Sequence, residues 1–176
     1  MRSLIFTAAI AVALPLSGFA QKEDGKKPDE AKEQTVTAQV TKVIDGDSLQ
    51  VEDADGKKYE VQVEGTDAPE LKQEGGKEAT EALKEMVGDK EVKLTWTDED
   101  TYGRLLAQIH VGDKHVNLEM IKAGMAWHFK RYNKNEQLAA AELGAREAKR
   151  GIWEKEEPKA PWDFRSENRT RDKPAE

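Results

Sequence analysis

Five short runs of alternating apolar and polar residues, with one helical-period segment between the third and the fourth, constrain this chain more than any other feature. Val36 to Ile44 puts Val36, Ala38 and Val40 on one face, and Ser48 to Glu52 does the same with Leu49 and Val51. Tyr59, Val61 and Val63 form the third run. A period of two belongs to a strand with one buried face. Asp53-Ala54-Asp55-Gly56 is a hairpin signal between the second and third runs. The period then changes. Gly75/Gly76 opens a helix with Ala79, Ala82, Leu83 and Met86 at helical spacing, and Gly88-Asp89 ends it. Val92, Leu94 and Trp96 predict a fourth strand. Leu105, Ala107 and Ile109 predict a fifth, closed by the Gly112-Asp113 turn. Val116 to Ala126 and Glu136 to Arg150 read as amphipathic helices, the second stopped by Gly151. The order βββαββαα matches a five-stranded OB-type barrel with helices, an α+β fold.

Composition narrows the classes. The chain has 176 residues and no Cys, which excludes disulfides, thiolate metal sites and cysteine nucleophiles. Charged residues make up 36% and the net charge is −7. Residues 36–153 hold 23 of the acidic and 17 of the basic side chains, so the predicted domain itself is acidic. That argues against a broad basic surface gripping nucleic acid, and leaves room for a small local site.

Residues 1–20 (MRSLIFTAAIAVALPLSGFA) have the form of a secretory signal peptide: Arg2, an apolar stretch from Leu4 to Leu16, and Gly18-Phe19-Ala20 as the cleavage site. Export to the periplasm or the medium follows as the expectation, with no stable membrane anchor after cleavage and a monomer as the default state. Residues 21–35 read as a disordered charged linker, 36–153 as the folded domain, and 154–176 as a flexible charged tail whose aromatics, Trp162 and Phe164, can dock back on it.

Two acidic segments carry candidate chemistry. Val43-Ile44-Asp45-Gly46-Asp47-Ser48 joins strands one and two, and Gly65-Thr66-Asp67-Ala68-Pro69-Glu70 follows strand three. Hard cations take carboxylate and carbonyl oxygens, which Asp47, Asp67 and the Ala68 carbonyl can supply. Pro69 stiffens the loop before Glu70, a candidate to orient or deprotonate water. Arg104, in Tyr102-Gly103-Arg104, presents a planar fork suited to phosphate oxygens. A divalent ion, a positioned base and an Arg are the minimal kit for attack on a phosphodiester.

Taken together, VIDGDS at 43–48, GTDAPE at 65–70 with Gln73, Gly76 and Ala79, DTYGR at 100–104, VNLEMIKAGMAW at 116–127 and AREAKRGIW at 145–153 make the chain similar to the staphylococcal nuclease-like (thermonuclease) family, over about Val36 to Trp153. The resemblance implies an OB barrel and Ca²⁺-dependent hydrolysis of DNA and RNA, with another divalent ion as an alternative. It implies Asp47, Asp67 and Ala68 as metal ligands, Glu70 as the base and Arg104 on the scissile phosphate. Tyr102, Lys130, Arg131 and Tyr132 become the substrate-binding set. One position departs from the family pattern: the second catalytic Arg, five residues before the Asp of Asp-x-Pro-Glu, is Gln62 here. Gln keeps a hydrogen-bond donor and loses the charge. A charge-assisted contact to a developing dianion accounts for roughly 2–4 kcal/mol. Lys72, two residues past Glu70, is the candidate stand-in for the missing charge. The expectation is an exported nuclease weakened by Gln62. The alternatives are an impaired OB module that binds nucleic acid or protein, and a calcium-stabilised envelope protein. His110, His115 and His128 read as ordinary positions, and Asp98-Glu99-Asp100 as a solvated loop.

Overall fold

A computed structural model describes residues 32–171; the signal peptide and most of the linker predicted above lie outside them. The strands are β1 (Gln34–Val43), β2 (Ser48–Asp53), β3 (Lys58–Val63), β4 (Thr66–Asp67), β5 (Glu91–Glu99), β6 (Leu105–Val111), β7 (Lys114–His115) and β8 (Trp127–His128). The helices are α1 (Gly76–Val87), α2 (Val116–Lys122), α3 (Glu136–Glu147) and α4 (Pro161–Arg171), with a 3-10 turn at Gly151–Glu154.

The main sheet runs β3-β2-β1-β5-β6-β7, and a parallel pairing of β3 with β6 closes five of its strands into a barrel. Closure removes the open edges that a five-stranded sheet would otherwise present. Register shifts at Val40/Lys42 in β1 and Trp96/Asp98 in β5 bend the long strands as closure requires. The inward-facing residues are those the alternation selected. Leu49, Val51, Val61, Leu94 and Ile109 are fully buried, and Leu83 of α1 with Met120 and Ile121 of α2 plugs the same core. Each such side chain contributes roughly 1.5–3 kcal/mol by leaving water.

Three features differ from the sequence expectation. The first predicted C-terminal helix is shorter, ending at Lys122, because the chain turns through Gly124 (φ 69°) into β8. Asp98 and Glu99 belong to β5, and Asp100 closes the hairpin by accepting the backbone N–H groups of Tyr102 (2.8 Å) and Arg104 (3.0 Å). The segment read as a flexible tail contains α4. Pro161 suits a first helical position, having no N–H to leave unpaired. Trp162 stacks on Phe129 (ring centroids 5.8 Å) and meets Trp127 edge-on (6.4 Å). Beneath α4, Trp127, Ala145, Ile152, Trp153 and Ala160 form a second small core. Among the described residues no helix is long and apolar enough to cross a membrane.

Candidate active site

The β1–β2 turn owes its shape to Asp45, whose Oδ1 accepts the Asp47 N–H (3.1 Å) and the Ser48 hydroxyl (2.6 Å). An Asp accepting from residues two and three ahead holds a turn that needs no regular ladder. Gly46 then lets the turn press against its neighbours: a Cβ there would stand 2.7 Å from the Cβ atoms of both Ala68 and Ala79. The close approach lets the Asp47 carboxylate accept the Ala68 N–H at 2.6 Å. Two segments 21 residues apart are joined by one charge-assisted hydrogen bond.

The second segment is held from below. The β4–β8 ladder pairs Asp67 with Trp127 and Thr66 with His128. After Pro69, the Gln73 side chain accepts the Glu70 N–H (3.2 Å), and the Glu70 carbonyl accepts the Gln73 N–H (2.7 Å). Gly76 opens α1 against that same Glu70 carbonyl, in a space a Cβ would fill. Asp67 is thereby buried beside Asp47, while Glu70 stays partly open to solvent.

Negative charge accumulates in this corner. Burial pushes the Asp47 carboxyl well above the usual range; the charges of Asp45 and Asp67 add to the rise, and the Ala68 N–H and Gln62 oppose it. Gln62, on β3, lies opposite Ser48 in the ladder and so next to Asp47. Burial also raises Asp67, against a guanidinium that works in the opposite direction. That guanidinium is Arg165 of α4, which sequence reasoning missed. Its Nη1 and Nη2 donate to Asp67 Oδ1 (2.9 Å) and Oδ2 (2.8 Å), and Nη1 also donates to Glu70 Oε1 (2.8 Å). The only local signal was Trp162 and Arg165, three apart and so on one helix face.

Arg104 immediately precedes β6, whose first residue, Leu105, lies opposite Val61 on β3. Its Nε donates to Asp100 Oδ2 at 2.7 Å, and its guanidinium lies 5.7 Å from the centre of the exposed Tyr102 ring. Burial would raise Asp100, but its hydrogen bonds from the backbone and side chain of Arg104 outweigh that and hold it below the usual range. Tyr132 is exposed, with Arg131 over its ring at 5.4 Å. Lys130 is less available: its Nζ pairs at 2.5 Å with Glu142, a buried carboxylate that also accepts from Arg146 (3.1 Å). Lys72 is exposed.

The fold therefore gathers Asp47, Asp67, Ala68, Glu70 and Gln62 into one corner. Arg104 and Tyr102 stand at the neighbouring hairpin, and residues 130–132 lie on the loop after β8. Among the described residues, no group of three or more His, Asp or Glu side chains is disposed to hold a metal. Two carboxylates and a carbonyl remain as an all-oxygen donor set, in a corner with surplus negative charge. That chemistry fits a hard divalent cation. His110 and His115 stack on each other (4.8 Å) and His128 is buried elsewhere, so the histidines form no common site.

A family model described as staphylococcal nuclease homologue matches residues 60–155. The match takes in Asp67, Glu70 and Arg104, and stops short of Asp47 on one side and α4 on the other. An "uncharacterized endonuclease" of Escherichia coli is 37% identical over 131 residues, which cover 74% of this chain and 85% of that protein. A "probable staphylococcal-like nuclease" of Oryza sativa subsp. japonica, CAN2, is 42% identical over 113 residues, covering 64% of this chain and 31% of the relative. The "staphylococcal-like nuclease CAN1" of Arabidopsis thaliana is 36% identical over 160 residues, 91% of this chain and 49% of the relative. The chain thus spans about a third to a half of the length of these plant relatives.

Proposed function

The chain belongs to the staphylococcal nuclease family, and from that premise we propose that it is an exported, divalent-cation-dependent phosphodiester hydrolase acting on DNA or RNA, with Ca²⁺ as the cation. The observation that carries the reading is the convergence of Asp47, Asp67 and Glu70 through the 2.6 Å bond from Ala68 to Asp47. Export rests on the leader-like residues 1–20, and secretion of a tagged full chain with loss of that segment tests it.

Asp47, Asp67 and the Ala68 carbonyl would hold the cation. When bound, it polarises a phosphoryl oxygen and offsets the charge that builds up during attack. Glu70, at the open edge of the corner, orients a water and accepts its proton. Arg104 donates its fork to phosphate oxygens as negative charge develops. For this it exchanges the Asp100 contact, whose partners are still partly exposed. Tyr102 and Tyr132 offer faces to bases or sugars, and the Arg131 charge adds to that binding. Gln62 supplies a neutral donor where the family pattern has a cation, so the rate is lower than a second Arg would give.

A specific observation favours the second reading, a binding module that does not cut: position 62, where the family pattern carries a catalytic Arg, is Gln. The test is cleavage of labelled single-stranded DNA by the full chain with Ca²⁺ or with chelator, with Glu70→Gln alongside. Calcium-dependent cleavage by wild type and a loss of at least a hundredfold in Glu70→Gln support the enzyme. Binding without cleavage, equal in both proteins, overturns it in favour of the module.

A further inference from the structure

The C-terminal helix reaches the acidic corner along a route legible in distances. Trp127 is the strand partner of Asp67, and it also meets Trp162 edge-on at 6.4 Å. Trp162 and Arg165 are three residues apart and share one face of α4. The ring that seats the helix is thus the direct neighbour of the carboxylate that receives its guanidinium. A second tie runs in parallel. The Gln73 side chain accepts the Glu70 N–H and donates its own Nε2 to the Lys159 carbonyl at 2.7 Å. Residues 159–165 therefore hold the Asp67–Glu70 loop at two places: through Gln73 at its backbone and through Arg165 at its carboxylates.

A carboxylate turns easily about its last bond, because that torsion has broad wells. A guanidinium gripping both oxygens removes this freedom and sets the carboxylate plane. Arg165 does so for Asp67, and its Nη1 bridges Asp67 Oδ1 to Glu70 Oε1. An ionised carboxylate has about four lone-pair sites. The fork occupies one on each oxygen of Asp67, which leaves acceptor capacity for a cation. The positive charge also lies against a cluster holding Asp45, Asp47, Asp67 and Glu70, where it reduces their mutual repulsion.

We infer that Arg165 is a positioning residue of the active site: from α4 it sets the planes of the Asp67 and Glu70 carboxylates, so that the C-terminal helix is part of the metal-dependent site. The inference rests on the nuclease reading of Asp67 and Glu70. It places a functional contact outside the span that the family model matches.

The experiment titrates Ca²⁺ alone into the full chain by calorimetry, for wild type, Arg165→Gln and Arg165→Lys. Thermal unfolding in chelator checks that each is folded. Outer partners that orient metal ligands typically contribute 10–100-fold to affinity or activity. The expected result is a Ca²⁺ affinity about tenfold weaker in Arg165→Gln, with kcat on an oligonucleotide reduced by a similar factor and KM unchanged. Arg165→Lys recovers part of the loss, since it keeps the charge and lacks the fork. Unchanged affinity and kcat in Arg165→Gln overturn the proposal and leave Arg165 as a strap. Tighter Ca²⁺ binding in that variant also overturns it, because Arg165 would then compete with the cation. A wild type that binds Ca²⁺ and does not cut overturns the nuclease reading alone, since the titration still reads the effect of Arg165. A wild type that does neither overturns both.

Discussion

Two arginines approach the acidic corner from different regions, and they are held in different ways. Arg104 sits at the β5–β6 hairpin and is tied to Asp100 four residues earlier. Arg165 sits on α4 and is tied to Asp67 and Glu70, 98 and 95 residues earlier. The first contact is made by a turn that forms wherever its own short sequence folds. The second exists only when the barrel is closed, β8 has paired with β4, and Trp162 has found Trp127. A local ion pair at a partly exposed hairpin can open at little cost. A fork on a buried carboxylate cannot, because breaking it leaves an unpaired charge. The difference suits Arg104 to move onto a substrate and Arg165 to stay in place.

Arg104→Gln should have the largest effect. It should lower kcat by roughly 10²–10³ through the lost contact to developing charge. Ca²⁺ affinity should stay near the wild-type value, because Arg104 touches neither Asp67 nor Glu70. A large drop in calorimetric Ca²⁺ affinity would show that the two arginines act as one unit. Next in size, Trp162→Ala should reproduce the Arg165→Gln phenotype, about tenfold in Ca²⁺ affinity and kcat. Hydrogen exchange should quicken in α4 while the barrel amides stay protected. Uniform loss of protection would mean that α4 stabilises the whole barrel. A third variant, Gln62→Arg, asks whether a charge on the barrel side adds to that of Arg165. Several-fold faster cleavage is expected, and no change would show that the strand position is not limiting.

The smallest effect concerns Asp100. Its carboxyl is held below the ordinary value near 3.9. A depressed folded-state value contributes stability that is present above the unfolded value and lost as pH falls through the folded one. Melting temperatures measured from pH 5 down to pH 2.5 should therefore fall slightly more steeply for wild type than for Asp100→Asn. Parallel curves would show that the hairpin pair contributes nothing to stability.

The barrel was legible because its strands are long enough to show a period. Val36–Val40, Leu49–Val51, Tyr59–Val63, Val92–Trp96 and Leu105–Ile109 each expose the alternation that a buried face imposes. β4 and β8 have two residues each, and two residues carry no period. The pairing of Asp67 with Trp127 was therefore invisible, and with it the reason α4 docks where it does. Lys130 shows the same limit in another way. Its neighbours Arg131 and Tyr132 stand exposed, while its own ammonium is turned to the buried Glu142, whose burial no spacing announced.

The donor groups of the acidic corner were set by the sequence alone. Asp47, Asp67, Ala68 and Glu70 lie in two short segments whose turn residues, Gly46 and Pro69, shape the backbone locally, and residue type alone sets what oxygens and charges they offer. Tertiary structure decided which charges meet. The 2.6 Å bond that closes the corner and the fork of Arg165 on Asp67 both join residues distant in the chain. Such contacts depend on how the β3–β6 closure and the aromatic seat of α4 fix distances. Those distances emerge from packing the whole core at once, and no window of residues contains them.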